Sequence, residues 1–559
     1  MKKVSFSIWL LVIYALFIIS CKQTNKTGAM IPNDAGMVLH LNANSLNSKL
    51  SWEEIKQTNW FKEMYAEAPD SLAKKIMEDP ANSGMDIKSD FVFFLKNQGN
   101  IGYMVFEGSV KDVAAFEAFN KKMSNNATAV KNGEFNNIQL PEGAVVTWNK
   151  EHFAYVINAP NMNMGRSFSM EGGNSTQPAT LSTDTLMKIG QSLFNLESSN
   201  SLGGNEKFGD MIKEQGDLHM WLNSEYLSGG IGAGALSMMK VNTLVQGNVS
   251  ATTINFDNGK ITMRSKGYYN KELSRLFDKY PAKEISADLV NRIPSKNVYA
   301  AFAMNYPPEG LKEFMKVIGV DGMVNGFLGQ ANYSIDEFIK ANKGDMIIAV
   351  SDFAVEKRMD TINMPGNESM PYERSGPDAK VLFATSINDR AAFDKLIGAF
   401  KAQGADDFSK SIPEINYKLD NNWFAISNST DYVNKFLSGG NNNHAFASKI
   451  SGHPFGGYVD IQKIMRSTQG TAKDSSAIIA YNASLQMWQD LVITGGEYKN
   501  GALSGEIELN LVNKNTNSLK QLSAYFDQLS RIMKAKKYRY ENYPADSSLA
   551  PVEAPPTEN

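Results

Sequence analysis

Side chains able to ligate a metal, attack a substrate or shuttle a proton are few in this chain, and their spacing rarely groups them. Five histidines occur: His40, His152, His219, His444 and His453. No two stand four apart around a glutamate, the helical pattern that holds zinc in a metalloprotease. His40 and His219 lie within apolar runs, Val-Leu-His40-Leu and Leu-His219-Met-Trp. A histidine so placed reads as a strand residue satisfied by its neighbours. Cys21 is the only cysteine, so a metal site would need histidine and carboxylate ligands. No such cluster stands out, and no metal or cofactor is expected.

Nucleophilic and phosphate chemistry leave equally little trace. There is no Gly-x-Ser-x-Gly elbow and no Gly-x-x-x-x-Gly-Lys-Ser/Thr loop. Gly230-Ile-Gly232-Ala-Gly234-Ala235 comes close to a dinucleotide turn, but no parallel βαβ unit follows it. It reads as a small-residue connector before a helix near 236–245. The adjacent acids Glu53-Glu54 and Asp406-Asp407 read as solvated charge. Lys534, Lys536, Lys537 and Arg539 end a helical stretch, where cations favour the helix dipole; attraction to anionic lipid is the alternative. Asp70-Ser71-Leu72, Asp184-Thr185-Leu186 and Asp360-Thr361-Ile362 resemble the O-glycosylation triplet of Bacteroides-type exported proteins. No catalytic residue is assigned.

Cys21 carries the clearest chemistry. Met1-Lys2-Lys3 is basic, Phe6 to Ile19 is almost wholly apolar, and Ile18-Ile19-Ser20-Cys21 closes the segment. A basic start, a short apolar stretch, a small residue and a thiol form the layout of a lipoprotein signal. The apolar run of about 14 residues is short of the roughly 20 that a spanning helix needs. Residues 1–20 are therefore read as a cleaved signal peptide and Cys21 as the lipid attachment site, with palmitate among the acyl groups. More than one acyl chain is needed for stable anchoring, and the triacylated cysteine that the resemblance to a lipoprotein signal implies would provide it.

With Cys21 lipidated, no thiol remains for an internal disulfide, and stability must come from a buried core. The 559 residues are ample for that. Fifty-six basic and 59 acidic residues give a formal charge of -3, no basis for nucleic-acid binding.

The elements that must position any site recur in two sets. Ile31-Pro32 precedes a strand near 38–41, and Ile293-Pro294 one near 298–303. Asp90-Phe-Val-Phe-Phe-Leu95 pairs with Asp345-Met-Ile-Ile-Ala-Val350. Asp112-Val-Ala-Ala-Phe116 and Asp389-Arg-Ala-Ala-Phe393 each follow an apolar run and open an amphipathic helix at an Asp N-cap. Phe153-Ala154 pairs with Phe424-Ala425. Asn258-Gly259 and Asn500-Gly501 mark hairpins whose turn positions favour positive φ. Two stretches break the match: polar Pro160–Gln215 in the first set, and Glu356–Asp378, a Met/Pro/Gly/Ser-rich loop, in the second. The fold class expected is α+β with two duplicated halves, each a large, mainly antiparallel sheet with helices packed on one side. The boundaries are a tether at 21–30, halves at 31–280 and 285–535 joined through Tyr280-Pro281-Ala282-Lys283, and a disordered tail at 541–559. The last helix, near 515–537, carries the stripe Leu519, Leu522, Phe526, Leu529 and Met533, expected to face the sheet.

Ile31-Pro-Asn-Asp-Ala-Gly-Met-Val-Leu-His-Leu-Asn42 and Lys49-Leu-Ser-Trp52-Glu-Glu-Ile55 resemble the opening of a Bacteroidota lipoprotein family known only as a domain of unknown function. The resemblance implies an outer-membrane lipoprotein and transfers no activity or site residue. Surface-displayed lipoproteins of that phylum often have acidic residues just after the cysteine. Lys22-Gln23-Thr24-Asn25-Lys26 has none, which points to the periplasmic face. The reading is a non-enzymatic binding or assembly module, anchored to the membrane by its lipid and meeting an envelope protein or glycan partner. A hydrolase with dispersed catalytic residues and a carrier of a small apolar ligand stay open as alternatives.

Overall fold

A computed structural model of the chain describes residues 26–66, 71–98, 101–159, 180–228, 240, 242–362, 370–400, 415–469 and 475–542. Contacts divide it into two compact units. The first comprises residues 1–45, 79–234 and 245–253; the second comprises 46–78, 235–244 and 254–559. The leader, Cys21, Gly230–Ala235, Asp406-Asp407 and the tail from 543 lie outside the described residues. Eighteen strands are present among the described residues, and every pair with a recorded register is antiparallel.

In the first unit the strands are β1 (Met37–Leu41), β2 (Phe91–Gln98), β3 (Ile101–Ser109), β4 (Val130–Asn132), β5 (Phe135–Gln139), β6 (Val145–Trp148), β7 (His152–Ala159) and β8 (Leu218–Asn223). They pair in the order β4-β5-β6-β7-β3-β2-β1-β8. Strand alternation splits their side chains into two faces. Trp221, Val38, Phe94, Val105, Val156 and Val145 form a buried row across one face. Phe153, Trp148, Val146 and Ile138 are buried on the other.

Helices cover both faces, a correction to the one-sided arrangement expected. The helix Val113–Met123 sets Phe116 against Trp148 and Phe153, at ring distances of 5.7 and 5.1 Å. The helix Thr183–Leu193 lies on the opposite face, where Gly190 approaches Thr147 and Val156 so closely that a Cβ would fall 2.5 Å from the Thr147 hydroxyl. The sheet interior is apolar on both sides, so both need cover.

Pro160–Gln215 is a second correction. Its described part, from 180, is not irregular: Leu186, Ile189 and Leu193 recur at helical spacing and are buried, as are Phe208 and Met211 of the helix Glu206–Lys213. Polar residues between them mask this stripe when composition alone is read.

β9 (Val249–Asp257) runs from the first unit into the second. The second unit then has β10 (Lys260–Tyr268), β11 (Val298–Asn305), β12 (Asn342–Ile362), β13 (Met370–Ile387), β14 (Asn416–Leu419), β15 (Trp423–Ser427), β16 (Phe455–Val459), β17 (Trp488–Lys499) and β18 (Ala502–Leu511). Their order is β10-β18-β17-β16-β11-β12-β13-β15-β14. Here too the helices lie on both faces. Val433 and Phe436 of the helix Thr430–Leu437 pack with Ala301, Ile347 and Ala384, whereas Phe393 and Leu396 of the helix Arg390–Phe400 pack with Phe424 on the other side.

Glu356–Asp378 is not a loop. It forms the outer arms of β12 and β13, paired from Ala354↔Asp378 to Ile362↔Met370, with the turn at 363–369 outside the described residues. The arms prolong a ladder already in register, and a two-stranded ribbon carries no alternating apolar signal to betray it. The C-terminal helix, Ser518–Asn542, packs mainly on the helices Ser475–Met487 and Asn59–Ala66 and meets the sheet at Trp488, the first residue of β17. Tyr525 makes the ring contact with Trp488, at 5.6 Å, while Phe526 of the expected stripe is 57% exposed.

Candidate functional site

The second unit contains an apolar cavity of about 280 Å³. Its walls come from the helices Lys271–Lys279 and Pro308–Val317, the segment Tyr280–Ala282, and the ends of β11, β16, β17 and β18. Asn270 starts the first helix by accepting from the Leu273 amide at 3.1 Å, and Pro308 starts the second. Phe277, Tyr280, Tyr306, Phe314, Phe455 and Tyr498 present their rings to the space. Gly310 keeps one wall open: a Cβ there would fall 2.9 Å from both Pro307 and Tyr280. Gly496, at φ 95°, keeps another against Pro454.

The Asn305 side chain in the lining is already engaged. Asn305 Oδ1 accepts from the Lys283 amide at 2.8 Å, and its Nδ2 donates to Asp345 Oδ1 at 2.7 Å. Burial pushes the Tyr306 phenol up to about 12. The join Tyr280-Pro281-Ala282-Lys283, read as a linker, thus forms part of this wall.

A polar basin of about 700 Å³ lies elsewhere in the same unit. The loop Asn441–His444, Lys296, Lys449, Lys463, Gln489 and Asp490 contribute to it. Phe446 stacks between His444 and Tyr458, at 5.2 and 4.3 Å. Lys463 donates to the Val298 carbonyl at 2.9 Å, and Lys449 sits 3.6 Å from buried Asp490. Burial lowers the His444 ring below its ordinary value, and its Nε2 faces the Ile293 carbonyl at 3.2 Å. Gln489 Oε1 is buried without a hydrogen-bond partner, an acceptor short of a donor.

In the first unit the fold brings together two histidines that sequence spacing kept apart. His40 and His219 oppose each other across β1 and β8 with their Nδ1 atoms 3.0 Å apart, and both are buried. His40 Nε2 lies 3.0 Å from Asp90 Oδ2, and His219 Nε2 lies 3.0 Å from the Glu214 carbonyl. Glu107 follows on the same face, beyond Val92. Burial pushes its carboxyl up to about 8, and Oε2 has no partner. Separation in sequence hid this cluster; the only local signal was a histidine in each of two apolar strands.

The other singled-out residues have local roles. Glu54 completes a capping box with Ser51 and pairs with Lys520 at 2.5 Å, which holds its carboxyl below the usual range. Glu53 pairs with Lys56 at 2.6 Å. His453 Nδ1 meets Glu497, and His152 is exposed at the start of β7. Asp184 and Thr185 lie in the first turn of a helix, with Leu186 buried. Asp360-Thr361-Ile362 ends β12. Lys534 to Arg539 lie on the C-terminal helix. No helix among the described residues is long and apolar enough to cross a membrane.

The profile of a family described as Domain of unknown function (DUF4836) matches residues 28–361, more than half of the 559. No curated protein and no solved structure matches the chain.

Proposed function

The chain belongs to the DUF4836 family, and from that premise we propose that it is a lipid-anchored binding protein of the cell envelope that takes a small apolar ligand. The cavity ringed by Phe277, Tyr306, Phe314, Phe455 and Tyr498 carries this reading. Its volume is just below that of usual ligand sites, which run from about 300 Å³ upward, so only a small ligand fits, and Asn305 offers it no uncommitted polar group. Selection would therefore be by shape and hydrophobicity. Residues 1–20 would direct export, Cys21 would carry the acyl chains, and the body would face the periplasm from the outer membrane. No catalytic step is assigned.

Titration of the detergent-solubilised protein with N-phenyl-1-naphthylamine tests the cavity. Saturable fluorescence enhancement that Leu311→Trp abolishes, with the melting profile retained, supports the reading. Equal enhancement in the variant opposes it.

Gln489 supports a second reading. Its unpartnered Oε1, in a basin edged by Asn441, Lys296 and Lys463, suits a hydroxyl-rich ligand such as a glycan. Glycan-array binding lost in Gln489→Leu would favour that site.

We also propose that the two sets of elements descend from one duplicated segment. The order β8-β1-β2-β3-β7 has a counterpart in β16-β11-β12-β13-β15. The row His219, His40, Val92, Glu107, Ala154 would then match Gly456, Ala303, Ile347, Ala384, Ala425. On this reading the fold tolerates small apolar residues where the first set carries its histidines.

A further inference from the structure

The buried chain Asp90–His40–His219–Glu214 contains three close contacts and too few protons to fill them if both rings are neutral. Asp90 Oδ2 to His40 Nε2, His40 Nδ1 to His219 Nδ1, and His219 Nε2 to the Glu214 carbonyl are each 3.0 Å. At that distance each contact is a hydrogen bond and needs one proton between its heavy atoms. A neutral imidazole brings one N–H, so two neutral rings bring two.

The acceptor at one end orders the rest. A carbonyl only accepts, so His219 Nε2 carries hydrogen. Burial is the largest influence on this ring and lowers its affinity for a second proton, leaving it neutral with a lone pair on Nδ1. His40 Nδ1 must then be the donor in the contact between the rings. What remains is His40 Nε2 against the Asp90 carboxylate, two lone pairs face to face unless a third proton lies between them.

We propose that this cluster is a proton-binding clasp: His40 holds the third proton as an imidazolium, donating from both nitrogens, with Asp90 as its counter-ion. The Asp90 side chain is 40% exposed and keeps a solvated negative charge, whereas that of His40 is 2% exposed and has no outlet but its two partners. The clasp joins three adjacent strands: His219 stands on β8, His40 on β1, and Asp90 immediately before β2.

The titratable groups around the cluster are acids. Glu214 accepts from Thr253 Oγ1 at 2.8 Å, Asp217 is buried and accepts from Ser45 Oγ at 2.5 Å, and Glu107 lies beyond Val92 on the same row. Glu214 and Asp217 favour retention, whereas the Glu107 carboxyl, pushed up to about 8 by burial, is neutral near pH 7 and does not oppose it. Loss of the proton sets an acceptor against an acceptor at the middle strand, so the first unit loosens as pH rises through the release.

The test uses the full chain in detergent, labelled with ¹⁵N-histidine. Five histidines give few ring signals, and His40→Gln and His219→Gln assign the two of interest. The wild-type spectrum near pH 7 is expected to show His40 protonated on both nitrogens and His219 on Nε2 alone. Asp90→Asn is expected to return His40 to one N–H, because the amide donates the missing proton to Nε2. In a Glu107→Gln background, the folding equilibrium should fall about tenfold per pH unit between the ordinary histidine value of about 6.5 and the release when residue 90 is Asp, level off above the release, and stay level throughout when it is Asn. A neutral His40 ring in the wild type, or an unchanged pH slope in Asp90→Asn, overturns the proposal.

Discussion

Glu107 sits inside β3 with 6% of its surface exposed and its carboxyl pushed by burial from 4.5 up to about 8. A folded value above the unfolded one means that the folded state holds the proton more tightly. The contribution to stability is therefore complete below about pH 4.5, declines as pH rises, and is gone above about pH 8. The span corresponds to a loss on the order of 5 kcal/mol. Glu107→Gln should flatten this slope and raise the urea midpoint at pH 8; an unchanged midpoint would show that the carboxyl is not neutral when folded. The sequence shows Glu107 only as one acid in an apolar run. Its unpartnered state depends on Val92 and Ala154, which flank it in the ladder from distant parts of the chain. His40 and His219 pose the same difficulty: their strand setting can be read locally, but their meeting, across 179 positions, cannot.

Among the elements, Asp527 ties the C-terminal helix to the helix Asn59–Ala66. Oδ1 accepts from the Asn59 and Trp60 amides at 2.6 and 3.0 Å, and Oδ2 accepts from Asn59 Nδ2 at 2.8 Å and Arg531 at 3.1 Å. Burial opposes its charge, but these donors together hold its carboxyl below the usual range. It thus caps one helix from the side of another. Asp527→Ala should cost about 1–3 kcal/mol by leaving those amides unsatisfied, read as a lower urea midpoint with faster amide exchange at Asn59 and Trp60. Local grammar foretold other elements well. Asp112 and Asp389 cap their helices through Ala115 and Ala392, at 3.0 and 2.9 Å. The two Asn-Gly turns differ, however. Asn500 and Gly501 both take positive φ, at 54° and 76°, whereas in the first turn only Gly259 does, at 68°, and Asn258 bridges to Asn517 instead. Gly501→Ala should therefore cost about 1 kcal/mol, measurable by thermal melting. Tertiary partners outweighed sequence pattern at the C-terminal helix, where Tyr525 rather than Phe526 faces inward.

For the whole molecule, two predictions separate anchoring from folding. Cys21→Ser should abolish incorporation of a fatty-acid probe and release the protein from the membrane fraction, with its melting profile intact; continued labelling would refute the anchor. A fragment beginning at residue 285 would lack β10, whose ladder with β18 runs from Lys260↔Asn510 to Tyr268↔Ala502. It should expose the β18 edge and aggregate, as light scattering would reveal. The antiparallel character of the fold was legible because strands follow one another without intervening helices. The two-sided helix cover was not, since alternation says which residues are buried but not what buries them.

The contact of Asn59 with Asp527, 468 positions apart, also bears on synthesis. A chain that emerges from its amino end must wait for nearly its whole length before that helix finds its cap. Until the last segment arrives, the amides of Asn59 and Trp60 lack their acceptor and the second unit stays incomplete.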